Sequence, residues 1–231
     1  MKDIAVVIGA TGGIGAALAD ALEEEGAFAN VHRFGRHGDL HSLDLTEEAT
    51  IAAAAASLPD DQKLSLVIVA TGMLHDRDRR PEKTMAALDA QWMVDNYRLN
   101  CVGPALVAKH FLPRMPRDSR AVFAVLGARV GSIADNRAGG WYSYRASKAA
   151  LVMTVRNLAI EHARTHKRGI VVALHPGTVD TRLSEPFQGN VAPGSLFTPD
   201  RAAMQLLDVI DGLNVGQSGK HIAWDGTEIS G

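Results

Sequence analysis

The chain has a single cysteine, Cys101, so no disulfide can close within it and nothing ties it to an oxidising compartment. No apolar run comes near the roughly 18 residues that a membrane span needs. Neither sign of charge is in excess: 24 Lys and Arg against 26 Asp and Glu leave −2 over 231 residues. A chain so close to neutral lacks the basic footprint of a nucleic-acid binder or of a protein that docks on anionic lipid. The first residues, Met1-Lys2-Asp3-Ile4, run straight into a strand-like segment without the layout of a secretory signal. Internal repeats, linkers, low-complexity stretches and the Gly-x-Ser-x-Gly nucleophile elbow are missing too. What remains, 46% hydrophobic and 22% charged, is the composition of one soluble globular domain, expected in the cytoplasm with no nucleic-acid or membrane partner.

What is present alternates. The run Ile4 to Ile8 is short, continuous and rich in Val and Ile, which suits a strand buried on both faces of a parallel sheet. A glycine-rich turn follows, then a helical stretch from Ile14 to Glu25 closed by Gly26, then a strand within Ala27 to Phe34. Asp44-Leu45-Thr46 reads as the cap of an Ala-rich helix from Ala49 to Leu58, and Leu64 to Ala70 repeats the buried-strand pattern. A long helix from Ala90 to Met115, a strand at Ala121 to Leu126, a helix from Ser143 to His166 and a strand at Ile170 to Leu174 complete the pattern. Strand and helix in alternation predict an α/β fold: a single-domain, doubly wound parallel sheet with helices on both faces. The charged segment Met73 to Lys83 reads as a solvated loop. The Pro- and Gly-rich segment Ser184 to Pro199 reads as a loop covering a binding site.

Two constellations carry chemistry. Gly9, Thr11, Gly13, Ile14 and Gly15 lie between a buried strand and a helix, the context of a dinucleotide fingerprint. Such a turn aims the helix N-terminus at a phosphate and lets the backbone approach it without an intervening Cβ. A generic tight turn and a methyl-donor nucleotide site are the competing readings of the glycines alone. The second constellation is Tyr144-Arg145-Ala146-Ser147-Lys148. Positions i and i+4 share a helix face, so a phenol and an ammonium point into one cleft. A neighbouring cation favours the phenolate and is expected to lower the phenol from about 10 by about 1–3 units, into the range of acid–base work.

The order and spacing of these residues resemble the classical short-chain dehydrogenase/reductase family over essentially the whole chain. Val130-Gly131-Ser132-Ile133 through Tyr144, with the ending Ser218-Gly219-Lys220 to Trp224-Asp225-Gly226, resembles its carbonyl-reductase branch, which includes the C-factor and sniffer proteins. The resemblance implies a hydride transfer between a nicotinamide and a carbonyl or secondary alcohol, with Tyr144 as proton donor and Lys148 on the nicotinamide ribose. It implies that Asn100 holds a water of the proton relay, and that Pro176, Gly177, Val179 and Thr181 hold the carboxamide side of the cofactor. Ala70, Thr71 and Gly72 stand where many members carry Asn-Ala-Gly, and Asp44 with Leu45 stands at the adenine side. In the family's register Arg33, followed by Arg36, takes the place of the acid that accepts a ribose 2′-hydroxyl, which favours NADP(H) over NAD(H). The usual catalytic serine is missing from Gly127-Ala128-Arg129-Val130-Gly131. Ser143 is the other nearby hydroxyl; either Ser132 substitutes, or Tyr144 polarises the carbonyl alone, or catalysis is impaired. Family analogy also suggests a homodimer or homotetramer. The alternative function is a nucleotide-binding regulatory or signalling protein with weak or no turnover; an extended epimerase fits a chain of this length poorly.

Other features read as structural. His162 and His166, and likewise His37 and His41, are four apart without a third metal ligand. Trp92, Trp141 and Tyr142 read as packing residues, with Trp141 and Tyr142 close enough to Tyr144 to wall a pocket.

Overall fold

The computed structural model describes residues 3–36 and 41–231. In chain order its strands are β1 (Ile4–Ile8), β2 (Asn30–Gly35), β3 (His41–Ser42), β4 (Leu64–Val69), β5 (Ala121–Leu126), β6 (Gly169–His175), β7 (Thr178–Val179), β8 (Leu196–Phe197) and β9 (His221–Ala223). Its α-helices are α1 (Gly13–Glu25), α2 (Glu48–Ala56), α3 (Ala90–Tyr97), α4 (Gly103–Phe111), α5 (Tyr142–His162) and α6 (Pro199–Gly212).

Seven strands form one parallel sheet in the order β3-β2-β1-β4-β5-β6-β9, and β7 pairs with β8 beside it. The strand pleat divides the core. Ile4, Val6 and Ile8 of β1 face a layer built on Ile51 of α2, Phe111 of α4 and Leu151 of α5. Ala5 and Val7 face the opposite layer, built on Leu18 and Leu22 of α1 and Leu206 and Ile210 of α6. Because both faces are covered, β1 reads as a continuous apolar run instead of an alternating one. The chain winds outward from β1 to β3, then returns to β4 on the other side of β1. That reversal opens a crevice above the carboxyl ends of β1 and β4, the place where open α/β sheets bind ligands.

Several elements depart from the sequence expectations. The long helix expected over 90–115 is broken: a π-helical turn at Arg98–Val102 separates α3 from α4, and a 3₁₀ turn at Leu112–Arg114 ends the run. π-Turns occur often at functional sites, and this one contains Asn100. Asp44 does not cap α2; its carboxylate accepts from the Thr46 amide and hydroxyl, each at 2.8 Å, while Glu47 is the capping position. An Asx-type turn competes with capping because it satisfies the same oxygen two residues on. Strand β2 starts three residues later than the apolar pattern suggested, and α5 ends at His162, short of the expected His166. The helix α6, capped by Thr198, and the edge strand β9 had no sequence expectation. The segment 73–83 is not simply a solvated loop. Its Glu82 is only 4% exposed, and its Arg79 pairs with Asp76 and Asp95 while stacking 4.2 Å over Trp92.

Candidate active site

A cleft of about 710 Å³ opens at the crevice above the sheet. Its near wall is the turn into α1. Gly12 is the N-cap of α1 and supplies no side-chain hydrogen bond, so first-turn amides face the cleft uncapped. The turn needs glycine at Gly9 (φ 89°), and a Cβ on Gly15 would lie 2.2 Å from the Gly9 carbonyl oxygen. A Cβ on Gly13 would lie 2.9 Å from the Thr181 methyl, which fixes the segment after β6 against the glycine loop. Ile14, Thr11, Ala70, Thr71 and Gly72 continue the wall, and the Thr71 hydroxyl is buried with no partner among the described residues.

The end of the cleft that holds Tyr144 is fixed by backbone contacts. The Asn100 carboxamide accepts from the Met73 amide at 2.8 Å and donates to the Met73 carbonyl at 2.8 Å and to Ser147 Oγ at 3.1 Å. The π-turn therefore hangs Asn100 on the loop that leaves β4. A Cβ on Gly72 would meet Lys148 Nζ at 3.7 Å and Asn100 Oδ1 at 3.8 Å, so these two groups converge on one point of the wall. Lys148 is buried, donates to the Leu126 carbonyl at 2.7 Å and stands 5.9 Å from the centre of the Tyr144 ring. Tyr144 is 7% exposed and lines the cleft. Spacing placed Tyr144 and Lys148 on one helix face and the resemblance added Asn100; the structure sets Asn100 Oδ1 and Lys148 Nζ both beside Gly72.

The expected lowering of the phenol is not what the structure shows. Burial pushes Tyr144 above its ordinary value. Burial also lowers Lys148 to about 8. The site as folded thus holds a protonated phenol beside an ammonium that starts to titrate just above neutrality.

The serine positions resolve differently from any simple substitution. Ser132 is buried outside the cleft lining, where its hydroxyl donates to the Ser230 carbonyl at 2.5 Å and accepts from the Asp135 amide at 3.0 Å. The expectation that Ser132 completes the site is therefore not met: the 3₁₀ turn Arg129–Gly131 carries it past the cleft and onto the chain end. Ser143 is turned onto Glu82. Ala128 occupies the cleft wall next to Gly127, with no hydroxyl to offer. Gly127 is small for a reason in packing, since a Cβ there would lie 2.8 Å from His221 Nε2.

Pro176, Gly177, Val179 and Thr181 all line the cleft, as expected. Residues Ser184, Phe187 and Val191 of the following segment also line it, which agrees with the reading of 184–199 as a covering loop. Trp141 walls the pocket, in edge contact with Tyr144 at 6.3 Å and Phe187 at 5.0 Å, whereas Tyr142 does not line it. At the far end the outcome is mixed. Arg33 is folded back onto α1, its guanidinium 2.7 Å from both Asp20 and Glu23. Arg36 is exposed and within electrostatic reach of Asp44, whose carboxyl is held below the usual range, against the cost of burial, mainly by its Thr46 hydrogen bonds and then by the Arg36 charge. Leu45 is buried against Gly103. Arg33, Arg36, Asp44 and Leu45 lie outside the 710 Å³ cleft.

His162 and His166 stack at 3.9 Å and are buried, a packing pair with no third ligand. Among the described residues no group of three or more His, Cys, Asp or Glu could hold a metal; His37 lies outside those residues. Sequence reading missed Glu82, Arg129 and His175 near the cleft. His175 stands directly before Pro176-Gly177, a position that could have drawn attention, whereas Glu82 gave no periodic or spacing signal.

A parallel doubly wound sheet, an uncapped glycine turn at its switch point and a Tyr–Lys–Asn cluster beside it define a nucleotide-dependent oxidoreductase. The comparisons agree. The family model described as short chain dehydrogenase matches residues 3–191. The 1-hydroxy-2-glutathionyl-2-methyl-3-butene dehydrogenase of Rhodococcus sp. (strain AD45) is 33% identical over 187 residues, covering 80% of this chain and 76% of that protein. The C-signal protein of Myxococcus xanthus is 37% identical over 138 residues, 59% of this chain and 77% of its own. Among solved structures, the NADPH-bound carbonyl reductase from chicken fatty liver superposes with a TM-score of 0.82 at 26% identity, covering 100% of this chain and 99% of the other. The chain belongs to the short-chain dehydrogenase/reductase family.

Proposed function

We propose that this protein is an NADP(H)-dependent carbonyl reductase of the cytoplasm in which Tyr144 delivers the proton and Lys148 and Asn100 support it. The observation that carries the reading is the pairing of Tyr144 and Lys148 in the lining of a cleft whose other end is the uncapped glycine turn, with Asn100 buried behind that lining against Met73 and Ser147. The residues present fit a dinucleotide. The free first-turn amides of α1 suit a pyrophosphate, and the orphaned Thr71 hydroxyl wants a polar partner in the cleft. Gly9, Gly13 and Gly15 shape that turn, Ala70, Thr71 and Gly72 flank it, and Pro176, Gly177, Val179 and Thr181 close over the nicotinamide end.

The nicotinamide supplies the hydride. The chain supplies the proton: a buried, protonated phenol is in its donating form at neutral pH, which suits reduction. As the substrate oxygen gains the proton, the Lys148 ammonium stabilises the phenolate left behind, and Asn100 orients water for its return. With Lys148 held at about 8, the reductive rate should hold level up to that pH and then fall by up to about tenfold per unit as the ammonium is lost. A profile still flat above pH 9.5 would remove Lys148 from the reaction.

NADP(H) is favoured because no Asp or Glu lies between Gly26 and Gly38 to repel a 2′-phosphate at the end of β2, and Arg36 is exposed there to meet one. Arg33 joins only by leaving Asp20 and Glu23. An exposed apolar stripe, Val94 and Tyr97 of α3 with Met153 and Ile160 of α5, suits a homodimer or homotetramer contact. The test is fluorescence titration with NADPH and NADH, followed by a carbonyl panel. NADPH should bind more tightly, and Arg36→Ala should weaken NADPH about tenfold while sparing NADH. The reverse order of affinities would count against the NADP(H) assignment. Tight NADPH binding with no carbonyl turned over would favour the regulatory reading, which the hydroxyl-free Ala128 and the C-signal likeness support.

A further inference from the structure

We propose that Glu82 is a positioning residue of this active site: its clasp on residues 141–143 sets both the Tyr144 phenol and the Trp141 indole. The inference rests on the reading of Tyr144 as proton donor. Glu82 is 4% exposed, and a buried carboxylate is tolerated only where its charge is answered. Among the described residues no cation answers it. The carboxylate accepts instead from the Ser143 amide at 3.2 Å and from the Ser143 hydroxyl. Ser143 lies in the first turn of the 21-residue α5, whose own N-cap position, Trp141, makes no side-chain cap. The acid therefore caps α5 from outside, at the positive end of the helix dipole, one residue before Tyr144.

The backbone of Glu82 does a second job. Trp141 is the one non-glycine residue with positive φ among those described, at 51°. Such strain persists only where surrounding structure holds it, and it gathers at functional sites. Here the Trp141 amide donates to the Glu82 carbonyl at 2.5 Å. That bond fixes the indole between Tyr144 and Phe187 at the cleft wall. One residue thus sets the start of the catalytic helix with its carboxylate and the substrate wall with its carbonyl. The segment around it is itself anchored, by Arg79 on Asp76 and Asp95 and by its stack on Trp92.

The experiment compares wild type, Glu82→Ala, Glu82→Gln, Ser143→Ala and Tyr144→Phe at saturating NADPH on one carbonyl substrate, with NADPH affinity measured separately. Glu82→Ala removes the carboxylate but keeps the carbonyl that holds Trp141, so it should lower kcat about ten- to a hundredfold with carbonyl KM little changed, and with NADPH affinity unchanged because Glu82 does not line the cleft. Glu82→Gln keeps an oxygen for the Ser143 hydroxyl and should recover most of the lost rate, and Ser143→Ala should fall between. Wild-type kcat in Glu82→Ala would overturn the proposal, as would a loss shared equally by NADPH affinity or a Gln variant no better than Ala. Should Glu82→Ala fail to fold, Ser143→Ala at wild-type rates overturns it. Tyr144→Phe separates the two readings. Full activity there sinks the proton-donor assignment, whereas an inactive Tyr144→Phe beside an unimpaired Glu82→Ala sinks the clasp alone.

Discussion

Tyr144→Phe should lower carbonyl turnover by about a thousandfold, within the usual range for a positioned proton donor, while NADPH still binds. The size follows from what else the cleft offers. Ser132 is committed to the Ser230 carbonyl, Ser143 to Glu82, and the wall residue is Ala128. Tyr144 must then both polarise the carbonyl oxygen and protonate it, two tasks that are otherwise divided. Removing a single oxyanion donor costs about 3–4 kcal/mol in well-studied sites, so losing both roles with one hydroxyl leaves little besides orientation. Phe keeps the ring and its edge contact with Trp141 at 6.3 Å, so folding and the glycine turn are untouched. The measurement is kcat under saturating NADPH together with NADPH affinity. Turnover within tenfold of wild type would show that another group supplies the proton.

Much of this site was legible because its signals are local. Tyr144 and Lys148 are four apart on a helix, and the glycine turn sits between a buried strand and a helix start. The alternation of apolar runs gave the parallel sheet, since β1, β4, β5 and β6 are buried on both faces and carry no polar alternation. What was not legible depends on tertiary contact. No periodicity marks the π-turn at Arg98–Val102, which forms where Asn100 reaches the Met73 backbone. Asp44 looked like a cap because it precedes a helix, but its own Thr46 is a nearer donor. Arg33 stands at the right place to read a 2′-phosphate, yet Asp20 and Glu23, one turn apart near the end of α1, claim it. Glu82 resembled the other charges of its loop, and only the position of α5 sets it apart. The phenol went the other way from expectation because spacing shows a neighbouring cation but not the desolvation that burial adds.

Mild acid should destabilise this protein before most carboxylates titrate, because three histidines are buried neutral. His162, His175 and His221 are each held down at about 4, first by burial and then by a neighbouring positive charge. For His162 that neighbour is His166; for His175 it is His221 with Arg129; for His221 it is Lys148 with Arg129. Nε2 of His221 and Nδ1 of His175 lack any hydrogen-bond partner among the described residues, so neither ring nitrogen has an acceptor waiting for a new proton. The sign is fixed by linkage. Below about 6.5 the unfolded chain binds protons at these positions and the folded chain refuses them, so stability falls as pH drops from about 6.5 towards about 4. Each such histidine costs up to about 1.4 kcal/mol per pH unit. Three of them remove on the order of 5 kcal/mol by about pH 5, a large part of an ordinary domain's stability. Urea midpoints at pH 7 and pH 5 measure the difference directly. His221→Leu is apolar, of similar volume and opposite the small Gly127, and it should flatten about a third of the decline by removing one of three similar proton-refusing sites. Equal midpoints at the two pH values would mean that these rings find protons, or water, inside the folded protein.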